Sequence, residues 1–267
     1  MKSLFLADAH LRDPQDQAYR DLLSFLQELP DDLDNLFILG DFFDFWHGFK
    51  DVVFSAYVPI LAALENVSGK GIKITFFAGN HEISFGPYLK NLGSCYENQA
   101  TVELDDQKFY LAHGDRLNPD DYFYHIWCTL LRNPLTLKII NNLPASLIWK
   151  IASRLSHGSR SYNGTKKIIP AQVLTSCARL LESDISALII GHFHQAGQET
   201  FSTKQGPKPL YLLGDWINDR SYLILEDGQF SFHNFNCSAN PDNQGTQSRF
   251  PAENQVMSPD YPETHLK

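Results

Sequence analysis

Five short stretches of the sequence end in side chains of the kind that bind metal ions. Each is an apolar run followed by Asp, His or Asn: SLFLADAH, NLFILGDFFD, KITFFAGNHE, KFYLAHGD and ALIIGHFH. The candidate ligands in these stretches are Asp8, His10, Asp41, Asn80, His113, His192 and His194. Carboxylate, amide and imidazole groups without a thiolate suit Mn²⁺, Fe²⁺, Co²⁺ or Zn²⁺, and the many nitrogen atoms disfavour Ca²⁺. The residue types therefore predict a site for divalent metal ions.

Seven candidate ligands are more than one ion needs, but they suit two ions that share a bridging group. A carboxylate can bridge through its two oxygens, and Asp41 is our candidate for that position. Two ions about 3.5–4 Å apart can activate a water molecule and stabilise the attacking and leaving oxygens of a phosphoryl group. The ligand chemistry is therefore suited to reactions at a phosphoryl group.

The apolar runs themselves are typical of β-strands that are buried on both faces of a sheet. Helix-like segments at residues 17–29 and 54–66 lie between the early runs, so we predict an α/β fold. Open α/β sheets bind their ligands beyond the carboxyl ends of the strands. Any one of these polar residues has an ordinary explanation as a turn or capping residue. Five strand ends that all carry such residues favour one shared site.

The ordered motifs DAH, GDFFD, GNHE, HGD and GHFH resemble the five motif blocks of the calcineurin-like metallophosphoesterases. The resemblance implies a β-sandwich of two sheets flanked by helices, with a dinuclear metal centre, most often of Mn²⁺ type, at one edge. It gives one ion to Asp8, His10, Asp41 and His194, and the other to Asp41, Asn80, His113 and His192. It also implies that His81, in the GNHE block, assists the leaving group or holds the phosphate. Asp41 and His81 are therefore the expected catalytic residues.

Residues 116–170, between HGD and GHFH, form a basic and strongly apolar insertion. They contain eight Lys or Arg residues and only two acidic residues, although the whole chain has a formal charge of −9. Runs such as YFYHIWCTLL and LPASLIWKIASRL predict two or three amphipathic helices. Helices that are both apolar and basic are typical of a membrane interface or a site for an amphiphilic anionic ligand. Packing on the sheet and a dimer contact are the alternatives that the composition leaves open.

The insertion also resembles a particular branch of the family. HGDRLNPDDYFYHIW, followed by LRNP, IASRL and GSRSYNGTKK, is similar to the UDP-2,3-diacylglucosamine diphosphatases of lipid A synthesis. The resemblance implies a helical cap that holds two acyl chains, and hydrolysis of the substrate's pyrophosphate to UMP and 2,3-diacylglucosamine 1-phosphate. The substrate contacts that it implies are Asn80, His81, Asp121, Tyr124, Trp127, Ser159, Asn163, Lys166 and His192. His81 stands where the best-known branch has arginine, and Phe193 stands where it has threonine.

Composition limits the partners and the location of the protein. The negative charge argues against a general nucleic-acid binder, which needs a basic surface. The four cysteines are far apart and form no CxxC pair, as expected of reduced thiols. We expect no signal peptide, and no stretch approaches the ~20 apolar residues that span a bilayer. We therefore predict a cytoplasmic enzyme, peripheral on the inner membrane, with an amphiphilic UDP-sugar lipid as substrate and no required protein partner.

The remaining sequence completes the predicted domain organisation. The runs PLYLLGDW, RSYLILEDG and QFSFHNF are expected to be strands that finish the second sheet, with a hairpin turn at EDGQ. We predict one catalytic domain over residues 1–237, with the helical insertion at about 118–168, and a disordered tail at 238–267, rich in Pro, Asn and Gln. Two other functions stay open: a phosphoesterase for a nucleotide or phosphoprotein, and a non-catalytic relative that binds a membrane or a partner.

Overall fold

The computed structural model describes residues 1–160 and 168–235. In chain order its strands are β1 (Lys2–Leu6), β2 (Asn35–Leu39), β3 (Trp46–His47), β4 (Lys73–Phe77), β5 (Glu82–Ser84), β6 (Gly93–Tyr96), β7 (Gln99–Leu104), β8 (Gln107–Ala112), β9 (Ala187–Ile190), β10 (Gly197–Thr203), β11 (Gly206–Leu212), β12 (Ser221–Glu226) and β13 (Gln229–Asn234). Its helices are α1 (Gln17–Gln27), α2 (Val58–Gly69), α3 (Gly86–Leu92), α4 (Tyr122–Leu131), α5 (Pro134–Asn141), α6 (Ala145–Arg160) and α7 (Ala171–Leu181).

Two mixed sheets form the body of the protein. The first has the strand order β13-β12-β1-β2-β4-β6, and the second has the order β10-β11-β9-β8-β7. In the first sheet β1, β2, β4 and β6 run parallel, while β12 and β13 are antiparallel. In the second sheet β8, β9 and β11 run parallel. The carboxyl ends of the parallel strands therefore collect at one edge of each sheet.

The apolar strands form these sheets because both of their faces are buried. Every residue of β2 and of β9 is buried, as the continuous apolar runs predict. Between the sheets, one cluster packs Phe5 and Phe37 from the first sheet with Leu111 and Ile189 from the second. The opposite face of the first sheet packs on α1 and α2, and that of the second sheet packs on α7. The result is a sandwich of two sheets between helices.

The insertion folds as three consecutive helices, α4, α5 and α6, in agreement with the expected two or three. Its attachment to the body is apolar: Ile148 of α6 is buried with Phe45 and Phe49, and Trp149 stacks near Phe54 with ring centroids 4.2 Å apart. Elsewhere the insertion leaves large apolar side chains exposed, and Phe123 reaches 89% exposure. Such a surface is unusual for a monomer that has no partner for it.

Two details of the fold differ from the sequence-based predictions. The runs that form β12 and β13 do not finish the second sheet: β12 pairs with β1, so this hairpin extends the first sheet, and only β11 joins the second. In this position the alternating side chains of β12 pack on both faces of the first sheet, with Ile224 in the cluster of α1 and α2 and Leu223 in the cluster between the sheets. The second predicted helix begins later, at Val58, where Pro59 occupies the first turn after a 3₁₀ turn at Ser55–Tyr57.

Other predictions about organisation have different outcomes. The EDGQ hairpin is confirmed, and Asp227 and Gly228 both have positive φ, as a type I′ turn requires. The cysteines of the described residues are free thiols. The predicted tail at 238–267 lies outside the described residues, and the boundaries of the catalytic domain and the insertion stay predictions.

Candidate functional site

The predicted ligands lie at the carboxyl ends of parallel strands in the two sheets. Asp8 and His10 follow β1, Asp41 follows β2, and His113 follows β8. The pair of histidines in GHFH, His192 and His194, follows β9. Because the strands of each sheet are parallel there, these side chains come together at one end of the sandwich.

The backbone at these strand ends is strained. Five of the candidate ligands have left-handed φ angles: Asp8 at +54°, His10 at +44°, Asp41 at +49°, His192 at +72° and His194 at +55°. Residues other than glycine rarely adopt this conformation, and it is typical of functional sites, where the surrounding structure enforces it. At each position it turns the chain sharply at the end of the strand.

Asp41 lies at the centre of the cluster. Its Oδ2 atom is 3.5 Å from Nε2 of His113, 3.7 Å from Nε2 of His10 and 3.9 Å from Nε2 of His81. Its Oδ1 atom accepts a hydrogen bond from the backbone N–H of His81 at 2.9 Å. Gly79 allows this approach, since a Cβ atom there would lie 2.2 Å from Oδ1 of Asp41. This arrangement suits a carboxylate that bridges two ions.

Asp8 forms the second half of the cluster. Its Oδ1 atom is 3.4 Å from Nε2 of His194 and 3.9 Å from Nε2 of His10, while its Oδ2 atom accepts the backbone N–H of His192 at 2.7 Å. Among the described residues, Oδ1 of Asp8 and Nε2 of His10 are buried and have no hydrogen-bond partner. Buried polar atoms rarely lack a partner, and two that converge on one point fit a metal ion between them.

The other half of the cluster joins Asp41 to the remaining two imidazoles. Nε2 of His113 is 3.2 Å from Nδ1 of His192. One ligand atom each of Asp41, His113 and His192 lies within 4.8 Å of the others, and the same holds for Asp8, His10 and His194. The two groups contain residues of the two predicted ligand sets, but Asp41 belongs only to the group with His113 and His192, and Asn80 belongs to neither. Asn80 is exposed and lies on the wall of a neighbouring cavity.

Burial and neighbouring charges shift the pKa values of the candidate ligands in the metal-free cluster. Burial raises the pKa of Asp8 to about 6 and lowers the pKa of His10 to about 3, so His10 is neutral and available as a ligand. Burial alone would lower the pKa of His113, but the Asp41 carboxylate raises it to about 10. Conversely, although burial alone would raise the pKa of Asp41, His113 and His81 hold it well below its usual range.

A second feature of the site is an apolar cavity of about 530 Å³ between the insertion and the body. One side is formed by insertion residues, including Trp127, Leu131 and Ile151, and the other side includes Asn80 and His81. The Nδ1–H of His81 donates to the carbonyl of Asp44, which leaves Nε2 directed towards the Asp41 carboxylate. The apolar cavity therefore lies beside the metal-binding cluster, on the side of His81.

The other predicted substrate contacts lie in different parts of the structure. Tyr124 lines the apolar cavity, and its hydroxyl donates to Asp115. Asp121 caps α4 by accepting the N–H of Tyr124, and it lines a separate cavity of about 350 Å³ together with His192. Ser159 lies on α6 without a described side chain. The predictions for Asn163 and Lys166 lie outside the described residues.

Comparison with known proteins identifies the family. The family model described as "Calcineurin-like phosphoesterase" matches residues 1–196, well over half of the chain. This chain belongs to the calcineurin-like phosphoesterase family. The predicted enzyme class, a hydrolase, and the predicted fold class, an α/β sandwich of two sheets flanked by helices with a helical insertion, are confirmed.

Curated relatives of this phosphoesterase match along most of their length. A protein of Edwardsiella ictaluri named UDP-2,3-diacylglucosamine hydrolase is 32% identical over 246 residues, which cover 90% of this chain and 94% of the relative. A protein of Stutzerimonas stutzeri with the same name is 30% identical, and the match covers 86% of this chain and 96% of the relative. Among solved structures, Vacuolar Protein Sorting 29 from Cryptosporidium parvum is 15% identical with a TM-score of 0.43, covering 87% of this chain and 95% of that one.

Within the described part of this phosphoesterase, none of the helices combines the length and apolarity that a bilayer crossing requires.

Three positioning groups were not found from the sequence. The carbonyl of Leu39 accepts from Nδ1 of His113 at 2.8 Å, and Asp215 lies 3.3 Å from Nδ1 of His194. Each contact turns the other ring nitrogen, Nε2, towards the cluster. The third group is the Glu82 carboxylate. Of these groups, Asp215 could have been predicted from the sequence, because a Gly-Asp pair follows an apolar run there. The same pattern points to Asp41 in GDFFD.

The Glu82 carboxylate holds two ligand-bearing loops together. Its Oε2 atom accepts the N–H groups of Asp41 and Gly79, both at 2.9 Å, and its Oε1 atom accepts that of Phe42 at 3.0 Å. Burial and the nearby Asp41 carboxylate raise the pKa of Glu82 to about 7. The N–H donors compensate for the cost of burying this group. The contacts fix the backbone of the two loops that carry Asp41 and Gly79.

We expect Glu82→Gln to weaken metal binding without removing a ligand. The amide would place an NH₂ group against N–H donors, so buried donors would lose their acceptor at a cost of about 1–3 kcal/mol of unfolding free energy. Loss of an outer-sphere support typically lowers metal affinity about 10–100-fold. Thermal unfolding and Mn²⁺ titration measure both effects, with Glu103→Gln, an exposed substitution of the same type, as the control. Unchanged Mn²⁺ affinity in a folded Glu82→Gln protein would contradict this role.

Metal loading is expected to release protons. In the metal-free enzyme at pH 7.5, His113 with its pKa of about 10 carries a proton that an ion must displace. Apparent Mn²⁺ affinity should therefore increase as the pH rises, by about tenfold per unit for each proton released. Calorimetric titration in two buffers of different ionisation enthalpy gives the number of protons. Identical heats in both buffers would show that none is released.

Arg132 ties the insertion to the loop that bears His81. From the end of α4, its guanidinium donates to the carbonyls of Gly79 at 2.6 Å, Glu82 at 3.1 Å and Glu97 at 2.8 Å. Arg132, one of the eight basic residues of the insertion, therefore binds backbone carbonyls of the body. The contact fixes the apolar cavity relative to the metal-binding cluster.

Proposed function

We propose that this phosphoesterase hydrolyses the pyrophosphate of UDP-2,3-diacylglucosamine to UMP and 2,3-diacylglucosamine 1-phosphate. The observation that carries the proposal is the apolar cavity of about 530 Å³, which opens beside His81 and the Asp41 cluster. A soluble nucleotide or phosphoprotein would leave this apolar space without a ligand. The names of the two curated relatives give independent support, since each match covers more than four fifths of both chains.

The cluster would hold two divalent ions, with Mn²⁺ as our choice. Asp8, His10, Asp41 and His194 would hold one ion, and Asp41, Asn80, His113 and His192 would hold the other. When bound, the ions would polarise the phosphoryl oxygens and supply the nucleophilic water. The two partnerless buried atoms and the absence of thiolates from the donor set support this assignment.

The protein's own groups would orient the substrate and handle the leaving group. Water attacks the uridine-linked phosphorus, and the bond from that phosphorus to the bridging oxygen breaks. His81, held by the Asp44 carbonyl through Nδ1, directs Nε2 towards the cluster and would stabilise or protonate the departing sugar phosphate. Asp121, Tyr124, Ser159, Asn163 and Lys166 would contact the sugar and phosphate groups, together with Asn80 and His192.

The direct test is UMP release from UDP-2,3-diacylglucosamine in Mn²⁺ and detergent. We expect UMP to appear, to stop with a chelator and to return when Mn²⁺ is restored. Hydrolysis of bis(p-nitrophenyl) phosphate serves as the control for an intact metal centre. If the enzyme cleaved that compound but released no UMP from the lipid, the lipid substrate would be wrong and the phosphoesterase chemistry would stand.

We also infer that the enzyme works at the cytoplasmic face of the inner membrane. The supporting feature is the exposed apolar surface of the insertion, with Phe123 at 89% and Leu135 at 67% exposure, in a basic segment. The double change Phe123→Glu and Leu135→Glu should weaken binding to anionic lipid vesicles at least about tenfold, because each buried side chain contributes roughly 1.5–3 kcal/mol. Val58→Glu, on the body at 53% exposure, is the control. Equal vesicle binding by all variants would refute the membrane role.

A further inference from the structure

A second cavity, of about 630 Å³, lies on another side of the metal-binding cluster. It is lined by Arg12, Asp13, Pro14, Gln15, Asp44, Ser55, Ala56 and Trp149. Asp44 also lines the apolar cavity, so this residue borders both spaces. One ligand atom of Asp44 lies within 4.8 Å of those of His10 and His81. Both cavities therefore border the part of the cluster that contains His10 and His81.

The chemistry of this second cavity differs from that of the first. Its lining carries one guanidinium, from Arg12, and two carboxylates, from Asp13 and Asp44. An acyl chain there would desolvate these groups without replacing their hydrogen bonds, which is unfavourable. A phosphate would meet more negative than positive charge. The lining instead suits an uncharged polar group that offers hydroxyl donors to carboxylates and carbonyl acceptors to a guanidinium.

An aromatic wall adds a preference for a planar group. Trp149 is half-buried, and its ring is held by Phe54 at a centroid distance of 4.2 Å and by Tyr57 at 5.7 Å. A fixed indole provides a face on which a nucleic-acid base can stack. A base with carbonyl oxygens, joined to a ribose with two hydroxyls, matches both the aromatic and the polar parts of the lining.

The loop that carries Arg12 is fixed to the metal-binding loops. The N–H of Leu11 donates to the carbonyl of Phe42 at 3.0 Å, and the N–H of Asp44 donates to the carbonyl of Leu11 at 2.9 Å. Asp13 accepts the N–H of Gln15 at 2.9 Å. The backbone of this loop is therefore held in position relative to the cluster before any ligand binds.

We propose that the second cavity binds the uridine half of the substrate, with Arg12 and Gln15 contacting the uracil carbonyls, Asp13 the ribose hydroxyls, and Trp149 the face of the base. This inference rests on the proposed function. With the acyl chains in the apolar cavity and the pyrophosphate at the cluster, the nucleoside has to lie within one phosphate of Asp41. The second cavity shares Asp44 with the apolar one and has the matching chemistry.

The test compares UMP with ribose 5-phosphate as inhibitors of bis(p-nitrophenyl) phosphate hydrolysis by the Mn²⁺-loaded enzyme. Both compounds bring a phosphate to the cluster, so the ratio of their inhibition constants isolates the contribution of the base. We expect wild type to bind UMP at least about tenfold more tightly, and Arg12→Ala or Gln15→Ala to reduce that ratio towards one. Arg12 is 38% exposed, so truncating its side chain should leave the fold intact. Arg179→Ala, an exposed change of the same type on α7, should keep the wild-type ratio.

Each result bears on the inference separately from the proposed function. A wild-type ratio near one, or a high ratio that both variants retain, would overturn the nucleoside site even if the enzyme releases UMP from the lipid. If the lipid is not cleaved but the ratio is high and falls in Arg12→Ala, the cavity still binds a nucleoside. The proposed lipid substrate would then be the part that fails.

Discussion

Asp41→Asn should lose phosphoesterase activity on every substrate while keeping the fold. Asn has nearly the same shape, but it removes the charge that lies 3.5–3.9 Å from the imidazoles of His10, His81 and His113. Loss of a residue that only supports a metal ligand lowers metal affinity or activity about 10–100-fold. Loss of the proposed bridging carboxylate should therefore lower activity at least about 100-fold. Rates on bis(p-nitrophenyl) phosphate and Mn²⁺ content measure the effect.

The control for this change is Asp106→Asn, because Asp106 is also an aspartate with positive φ, at +59°, and it is exposed. It should keep wild-type metal content and activity. If Asp41→Asn remained folded and retained both metals and most of its activity, Asp41 would not be the bridging ligand.

The second large effect is expected from a charge in the apolar cavity. Ile151 lines the cavity and is 48% exposed, so Ile151→Glu can fold while presenting a carboxylate where an acyl chain should lie. We expect kcat/KM for UDP-2,3-diacylglucosamine to fall at least about tenfold, since even one methylene in an apolar pocket can be worth that much. The loss should exceed any loss on bis(p-nitrophenyl) phosphate, which has no acyl chains.

Ile139→Glu is the matched control for the cavity. Ile139 lies on α5 in the same insertion, is 58% exposed and does not line the cavity. Measuring both variants in mixed micelles of fixed composition separates acyl binding from a general effect of negative charge on the insertion. An equal fall for the two variants would show that the cavity does not receive the acyl chains.

The metal-binding cluster could be predicted because its signal is local. Asp8, Asp41 and His113 follow directly on apolar runs, and the parallel arrangement of buried strands brings such ends together. The three insertion helices could also be predicted from the sequence, since their apolar periodicity is strong. In both cases a short segment contains the information that determines the structure.

The positioning groups could not be predicted in the same way because their partners are distant in sequence. Glu82 accepts N–H groups from residues about forty positions earlier, such as Asp41 and Phe42, and Arg132 donates to carbonyls near residue 80. Nothing in the sequence of β12 indicates that it pairs with β1 rather than with the second sheet. Such contacts depend on the tertiary arrangement, which local patterns do not encode.

The central claim is that the metal-binding cluster and the apolar cavity act together on one lipid. The most direct measurement is the ratio of wild-type kcat/KM for UDP-2,3-diacylglucosamine to that for UDP-N-acetylglucosamine, which has the same pyrophosphate without the two long acyl chains. Binding energy from the non-reacting chains should favour the diacyl compound by at least about 100-fold. Equal values for the two compounds, or no UMP from either, would contradict the claim.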